Sequence, residues 1–490
     1  MSVCLSAPGM SKPYSRYELT LVVKEAFVVR NRMSGRSRFL RRGVALTAIV
    51  TMAATGAVFS SGATSAQPKQ AKAASVTIRV AVVSTPQVTE VEQLLPDFYK
   101  MHPNIKVAID TLPEDTERAI IETDIATQAN EFNAVMISNY ETPMWAKNHW
   151  LVDLSKNFTA SDPGYDVSDL IKPIAQSLMS GGELYGVPFT GESSFVMYNK
   201  SMLKAAGLTM PLHPTWTQIA TMAAKLNNPS KGVSGICLRG EAGWGENLAP
   251  LDTVINTFGG SWFNMKWVPQ LTSPADEQAV NFYVKLLRTY GEPGAAADGV
   301  NECLQYYDSK KTALWYDSTA VAPEIAVDAP SVYADTGYAF APTGPSGRAS
   351  GWQYVWSFSI ASGTPNQKAT WDFISWMTSK QLISEAAQKF GWAAVPGGNR
   401  TSTYVNPKYQ KVATYAPITL ASMEAARPDD PTVHPVPYTG IQFVAIPEFI
   451  NLGNEVSQQI SAAIAGRESV ATALSISQQD ALTSVSENGL

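Results

Sequence analysis

The sequence predicts an α/β fold, and three observations lead to this prediction. Short runs of β-branched and aliphatic residues alternate with stretches whose apolar residues recur at helical spacing. The connecting stretches are rich in glycine and proline, as loops between strands and helices are. The chain has 490 residues, 45% hydrophobic and 16% charged, so it is too apolar to be disordered and can bury two packed layers. Alternating strands and helices are typical of a sheet with helices on its faces.

The first predicted unit is a strand–helix–strand–helix–strand series. Strands are predicted at 76–83, 105–110 and 132–137, with a helix at 117–129 before the third strand. The apolar residues between the first two strands fall on one helical face, although Pro96 argues against an unbroken helix there. Such a series begins a doubly wound sheet.

Three later helices have recognisable start signals. Thr215, with Gln218 three residues further on, forms a capping box. Ser273 precedes Pro274, which gives an N-cap followed by proline at the first helical position. Asn366 is predicted to cap a tryptophan-containing helix.

The segment after these helix starts contains a predicted strand at 351–360. The proline- and glycine-rich stretch 341–351 precedes it and is the expected connection between two parts of the fold.

Residues 1–73 are predicted to be an export signal. Arginines at 36–42 precede an uncharged run at 43–59, and small residues follow up to Ala73. Cleavage is expected after Ala73, with Ala66 as the alternative, and the Sec and twin-arginine routes both stay open. The run is too short and too rich in small residues to favour a membrane anchor. No cysteine lies between this run and Ala73, so we expect a soluble periplasmic protein without a lipid anchor.

The charge distribution argues against nucleic acid as a partner. The formal net charge is −5, and basic residues concentrate in the export segment, so the body of the chain is more acidic still. Nucleic-acid binding depends on lysine and arginine neutralising phosphates. Beyond the export segment the cysteines are Cys237 and Cys303, which can form a disulfide or remain two buried thiols.

The sequence contains no familiar catalytic or cofactor motif. A nucleophile elbow, a zinc-protease motif, a phosphate-binding loop and a dinucleotide fingerprint are absent, and the four histidines lack metal-ligand spacing. We therefore expect no catalytic residue, cofactor or metal. A hydrolase that uses two carboxylates needs no local motif, so a secreted carbohydrate-active enzyme using Glu141, Glu192 or Asp317 is the alternative.

Aromatic residues interleaved with polar ones in glycine-rich loops indicate a site for a hydroxylated molecule. A polyol or sugar stacks its C–H faces on aromatic rings, and its hydroxyls need paired donors and acceptors. Charged partners make the stronger hydrogen bonds. The loops lie at 235–247, 351–356 and 391–395. Their candidate ligand-binding residues are Arg239, Trp244, Asn247, Trp352, Gln353 and Trp392.

The segment GELYGVPFTGESSFVMYN at 182–199 resembles a hallmark of the extracellular solute-binding proteins of ABC importers. KAAGL at 204–208 and Phe-Gly-Gly at 258–260 match the family in the same order. ICLRGEAGWGEN at 236–247 and PYTGIQFVAIPEF at 437–449 are similar to the sorbitol/mannitol-binding group. The resemblance covers essentially residues 75–466. It departs from that group after the first strand, where Ser-Thr-Pro-Gln replaces an Asn/Gly-rich loop.

The resemblance implies a periplasmic-binding-protein fold, in which two α/β lobes are joined by hinge crossings and enclose a ligand cleft. The crossings are expected near Pro188, Asp317 and Arg348. The N-terminal lobe is then expected to comprise 74–188 plus 318–348, and the C-terminal lobe 189–317 plus 349–490.

The resemblance also implies a function. The protein is expected to be a monomer that captures a sorbitol- or mannitol-like polyol, or a small sugar, by lobe closure and delivers it to an ABC permease in the inner membrane. A binding protein for an oligosaccharide is an alternative. Tryptophans would stack on the ligand, carboxylates would accept hydroxyl protons and Arg239 would donate. Mapped residue by residue, the expected ligand contacts are Tyr140, Glu141, Glu192, Arg239, Trp244, Asn247, Asp317, Trp352, Gln353 and Trp392.

Overall fold

The computed structural model of the protein describes residues 75–489 except residue 394, and the predicted export segment at 1–73 lies outside the described residues. The strands are β1 (Val76–Val83), β2 (Ile105–Leu112), β3 (Ala134–Ser138), β4 (Met179–Ser180), β5 (Glu183–Leu184), β6 (Val187–Glu192), β7 (Ser194–Asn199), β8 (Leu314–Ser318), β9 (Thr336–Phe340) and β10 (Tyr354–Ile360). The α-helices are α1 (Pro86–Glu92), α2 (Leu95–Met101), α3 (Glu114–Thr127), α4 (Glu141–Lys147), α5 (Leu154–Asn157), α6 (Lys172–Gln176), α7 (Lys200–Ala205), α8 (Trp216–Leu226), α9 (Ala249–Phe258), α10 (Pro274–Tyr290), α11 (Val300–Asp308), α12 (Val321–Asp328), α13 (Pro330–Asp335), α14 (Gln367–Met377), α15 (Lys380–Phe390), α16 (Thr401–Tyr404), α17 (Pro407–Val412), α18 (Ala416–Ala425), α19 (Phe449–Ile464) and α20 (Val470–Asn488).

The larger sheet has five strands in the order β2-β1-β3-β10-β6. β1 runs parallel to β2 and β3, whereas β10 is antiparallel to β3 and β6. The side chains of Ile78, Val80 and Val82 are fully buried, as expected for a β-branched run that lies inside a sheet covered by helices. The predicted strand–helix–strand series is therefore present.

The smaller sheet has three antiparallel strands in the order β8-β7-β9. Consecutive strands β6 and β7 belong to different sheets, so the chain crosses between the sheets at Ser193. It crosses back along the connection 341–353 between β9 and β10. The proline- and glycine-rich stretch predicted as a connection thus joins the two sheets.

The strand pairing differs from the expected lobe division at two strands. The division assigns β9 to the N-terminal lobe, but β9 pairs with β7 of the smaller sheet. It assigns β10 to the C-terminal lobe, but β10 pairs with β3 and β6, because its apolar residues fill the larger sheet. Pro188 and Asp317, expected near crossings, lie within β6 and β8, whereas Arg348 does lie in a crossing segment.

Most predicted helix starts are observed. The Thr215 side chain and Gln218 form the reciprocal capping box, and Ser273 caps α10 by accepting from a backbone N–H. Asn366 occupies the N-cap position of α14, but its side chain makes no capping hydrogen bond. α1 ends at Glu92, and Pro96 lies in the first turn of α2, so the predicted break separates α1 from α2.

Cys237 and Cys303 form a disulfide, which decides between the two alternatives that the sequence leaves open. Both residues are fully buried, and Cys237 pairs through its backbone with Trp315 of β8. The bridge therefore ties α11 to the edge of the smaller sheet. Within residues 75–489, no helix has both the length and the apolar character needed to cross a membrane.

Candidate functional site

A cavity of about 620 Å³ lies between strands of the larger sheet and a segment and helix that pack on the side of the smaller sheet. One wall comes from the start of α3, the end of β6 and the start of β10. The opposite wall comes from the segment 239–246, whose end is the start of a one-turn π-helix (Trp244–Leu248), and from α19. Four of the predicted ligand contacts line this cavity: Glu192, Arg239, Trp244 and Trp352.

The loop that carries Trp244 is held against α19 by side-chain amides. The backbone N–H of Trp244 donates to Oδ1 of Asn454 at 3.0 Å. Asn247 donates through Nδ2 to the carbonyl oxygens of Ser457 at 2.9 Å and Gly240 at 3.3 Å. Asn247 is fully buried and does not line the cavity, so in this structure it fixes the loop instead of facing a ligand.

Arg239 is oriented by a buried bidentate ion pair with Asp317. Nε donates to Oδ2 at 3.0 Å, Nη2 donates to Oδ1 at 2.5 Å, and Nη1 donates to the carbonyl oxygen of Gly245 at 2.7 Å. Asp317 also accepts from Nε1 of Trp315 and from the backbone N–H of Ser318. Asp317 is fully buried and outside the cavity lining, and these donors occupy its oxygens. It positions the guanidinium that reaches the cavity.

Glu192 and Trp352 form the second pair at the cavity wall. Oε1 of Glu192 accepts from Nε1 of Trp352 at 3.3 Å, and Oε2 accepts from the hydroxyl of Ser318 at 2.5 Å. Burial raises the pKa of Glu192 to about 7, although the hydrogen bond from Ser318 and the nearby charge of Arg239 act in the opposite direction. Near neutral pH this carboxyl group is partly protonated, so it can donate as well as accept hydrogen bonds.

Tyr140 and Glu141 lie beside the cavity, not in its wall. The Tyr140 hydroxyl donates to the carbonyl oxygen of Ile446 at 2.7 Å. The Glu141 carboxylate is buried, accepts from the backbone N–H of Ser138 at 2.9 Å and forms an ion pair with Arg118. Hydrogen bonds and ion pairs within the protein thus engage the polar groups of both residues, with Arg118 of α3 as the charged partner of Glu141.

Gln353 and Trp392 are also absent from the cavity lining. Gln353 is only 2% exposed, and its backbone carbonyl oxygen accepts from Nε2 of Gln442 at 2.8 Å. Trp392 is half-buried and packs against the hydrophobic core on which the larger sheet rests. Trp392 thus lies outside the cavity wall in this structure, and its stacking role stays a prediction.

The main residue missed by sequence reasoning is Arg118. Its guanidinium lies 5.2 Å from the ring centre of Trp244 and 4.9 Å from that of Trp356, and Nη2 donates to the hydroxyl of Tyr354 at 2.5 Å. Nε also donates to Glu114 at 3.1 Å. Trp356 carries the same glycine-rich loop signal as Trp352, but nothing in the local sequence of α3 marks Arg118. Arg118 lies behind the cavity wall and not in it. The residues that line the cavity and were not in the expected set include Glu114, Glu241, Glu246, Tyr354, Trp356 and Gln442.

A mixed α/β fold with a polar, aromatic cavity between two sheets defines a ligand-binding protein of the periplasmic-binding-protein type. The chain belongs to the family described as "Bacterial extracellular solute-binding protein", whose profile matches residues 84–382. Membership in this family and the periplasmic-binding-protein fold confirm the sequence predictions, and the family is one of binding proteins, not enzymes.

Among its relatives is the mannitol-binding protein of Pseudomonas aeruginosa, which is 38% identical over 404 residues, 82% of this chain and 92% of that protein. A crystal structure of an ABC transporter solute-binding protein from Agrobacterium vitis S4 with bound D-mannitol is 41% identical, with a TM-score of 0.81; the match covers 84% of this chain and 99% of that one. A solute-binding protein from Agrobacterium radiobacter K84 in complex with ribitol shares the fold at 21% identity, with a TM-score of 0.73, over 83% of this chain and 98% of that one.

Proposed function

We propose that this protein is the substrate-binding component of an ABC importer and that it captures a mannitol-like polyol. The observation that carries the proposal is the cavity, in which the indole rings of Trp244 and Trp352 adjoin the polar groups of Glu192 and Arg239. The similarity to a mannitol-bound structure at 41% identity supports the same ligand class.

The cavity walls offer a hexitol complementary partners. The indole rings give flat apolar surfaces for its C–H groups. Arg239 donates charge-assisted hydrogen bonds to hydroxyl oxygens, and Glu192 accepts or donates according to its protonation. A few such bonds with one or two stacked rings are sufficient for micromolar affinity, about −8 kcal/mol.

The proposed mechanism is closure of two lobes over the ligand. Following the strand pairing, one lobe contains residues 75–192 with β10, and the other contains β7 to β9 with α19 and α20. The hinge would then lie at Ser193 and in the connection 341–353. The exported protein, its signal at 1–73 removed, would act as a monomer in the periplasm and deliver the ligand to the permease.

Calorimetric titration of the purified protein tests the proposal. We expect one mole of D-mannitol or D-glucitol to bind per mole of protein with micromolar affinity, and maltose to bind at least 10-fold more weakly. Trp244→Ala should weaken mannitol binding at least 30-fold, whereas Trp267→Ala, a matched tryptophan change outside the cavity lining, should leave it within 2-fold. If hexitols release no heat and cause no thermal shift, the polyol proposal is wrong.

A further inference from the structure

The wall of the cavity carries more carboxylates than the binding of a neutral ligand requires. Glu114, Glu192, Glu241 and Glu246 line it, and Arg239 is the cation among the lining residues of the described chain. The charge of Arg239 is already matched by Asp317, which lies behind it. Glu114 is paired with Arg118, so Glu241 and Glu246 are the carboxylates that exceed the positive charge available to the wall.

Two of these carboxylates point to the same small volume. A β carbon placed on Gly299 would lie 2.6 Å from Oε2 of Glu241 and 2.8 Å from Oε2 of Glu246. Glu246 accepts from the backbone N–H of Val300 at 3.3 Å and lies 3.9 Å from the Arg239 guanidinium. Glu241 is exposed, and none of the residues that the structure describes forms a hydrogen bond or ion pair with its carboxylate.

The aromatic residues of the wall provide a second, independent attraction for a cation. The rings of Trp244, Trp352, Tyr354 and Trp356 all line the cavity, and the negative face of an aromatic ring attracts an ammonium group. The Arg118 guanidinium already lies within cation–π distance of two of these rings, so their orientation suits a positive neighbour.

We propose that the cavity also binds cationic amino-polyols, that is, hydroxylated chains with one ammonium group, and that Glu241 and Glu246 hold the ammonium. This inference rests on the proposed polyol-binding function, because the hydroxylated part of the guest occupies the same walls. An ammonium donates up to three charge-assisted hydrogen bonds, where a terminal hydroxyl donates one neutral bond. An anionic polyol, such as an aldonate, is repelled by the same carboxylates.

The proposal also predicts a measurable release of protons from Glu192 when an amine binds. Burial raises the pKa of Glu192 to about 7, and the charged groups that face it are Arg239, Asp317 and Glu324. A bound ammonium favours the ionised carboxylate and lowers this pKa. Binding of the amine is therefore accompanied by proton release near pH 7, whereas binding of mannitol adds no charge.

The test is calorimetry on the purified protein with three ligands of matched shape: D-mannitol, 1-amino-1-deoxy-D-mannitol and D-mannonate. At pH 8 we expect the amine to bind at least 10-fold more tightly than mannitol, and mannonate at least 10-fold more weakly. Repeating the titration at pH 7 in buffers of different ionisation enthalpy should reveal proton release for the amine. If mannitol binds and the amine binds more weakly, the inference is overturned and the polyol function stands. If neither binds, both fail.

A matched pair of variants tests the assignment of the ammonium position. In the double variant Glu241→Gln/Glu246→Gln, the preference for amine over mannitol should fall below 2-fold. In Glu487→Gln, which neutralises an exposed carboxylate near the end of α20, the preference should stay as in the unmodified protein. If the double variant keeps the full preference, the ammonium is not held by these carboxylates and the assignment is overturned.

Discussion

Replacement of Asp317 by asparagine removes the negative charge that holds Arg239 in the cavity wall. The Asp317 side chain is fully buried and the Arg239 side chain is 11% exposed, so water cannot replace the lost partner. The asparagine would also place an NH₂ group where an acceptor is needed, because Nε and Nη2 of Arg239 both donate to Asp317, as does Nε1 of Trp315. Arg239 would keep its bond to the carbonyl of Gly245.

The magnitude follows from what remains around the guanidinium. Breaking a buried ion pair by removing one partner costs about 3–5 kcal/mol, since the other charge is left uncompensated. Here Glu246 lies 3.9 Å from Nη1 and offsets part of that cost. We therefore expect Asp317→Asn to lower the free energy of unfolding by about 3 kcal/mol. Mannitol affinity should fall about 10-fold, equivalent to about 1.4 kcal/mol, because a loosened Arg239 donates less well.

A double-mutant cycle separates this pairing from other effects of the substitution. The free energy of unfolding is measured by urea titration for the unmodified protein, for Asp317→Asn, for Arg239→Gln and for the double variant, and mannitol binding is measured by calorimetry. The double variant leaves no buried charge unpaired, so it should be less destabilised than the sum of the single variants by at least 2 kcal/mol. If the single effects simply add, or if Asp317→Asn binds mannitol normally, Asp317 does not position Arg239.

Three further predictions concern the cavity wall, a buried carboxyl group and the disulfide. Trp352→Ala should weaken mannitol binding by about 2 kcal/mol, which is about 30-fold. Trp352→Phe should weaken it only about 3-fold, because the phenyl ring still stacks and only the hydrogen bond to Glu192 is lost. Equal losses in the two variants would contradict a stacking role. Burial raises the pKa of Glu292 to about 8, above the ordinary value of 4.5. The folded state therefore keeps a proton that the unfolded state loses, and stability falls as pH rises from about 4.5 to 8 by about 1.4 kcal/mol per pH unit. Between pH 6 and pH 8, Glu292→Gln should lose about 2 kcal/mol less stability than the unmodified protein in urea titrations; parallel pH profiles would refute this. Replacing both Cys237 and Cys303 by serine should lower the free energy of unfolding by about 4 kcal/mol, since the bridge links positions 66 residues apart. As a check, adding reductant should lower the free energy of unfolding of the unmodified protein by the same amount and leave that of the variant unchanged.

Local sequence signals were sufficient to predict several elements of this fold. The β-branched run at 76–83 forms the buried strand β1, and the capping box at Thr215 begins α8 where expected. These features depend on residues within a few positions of one another, so the sequence displays them directly.

The sheet that each strand joins depends on pairing between distant residues. β9 and β10 are neighbours in the chain, yet β9 pairs with β7 and β10 pairs with β3 and β6. Both strands are short and apolar, so the hydrophobic periodicity of the sequence does not show which sheet each strand joins. Their assignment to opposite sheets is decided by the crossing between them, whose direction no local motif records. For that reason the expected lobe boundaries differ from the strand pairing at these two strands.

The comparison of Trp244 with Trp392 shows the same limit within the site. Each tryptophan follows a glycine in a loop, and on that basis the sequence predicts an exposed stacking ring for both. Trp244 lines the cavity because Asn454 of α19 fixes its backbone and the Arg118 guanidinium lies against its ring. Trp392 packs against the hydrophobic core instead. It directly follows α15, whose buried residues belong to the core beneath the larger sheet. The deciding partners come from helices more than a hundred residues away from Trp244 in the chain, so a glycine-flanked aromatic residue predicts a ligand contact only when its surroundings in the fold are known.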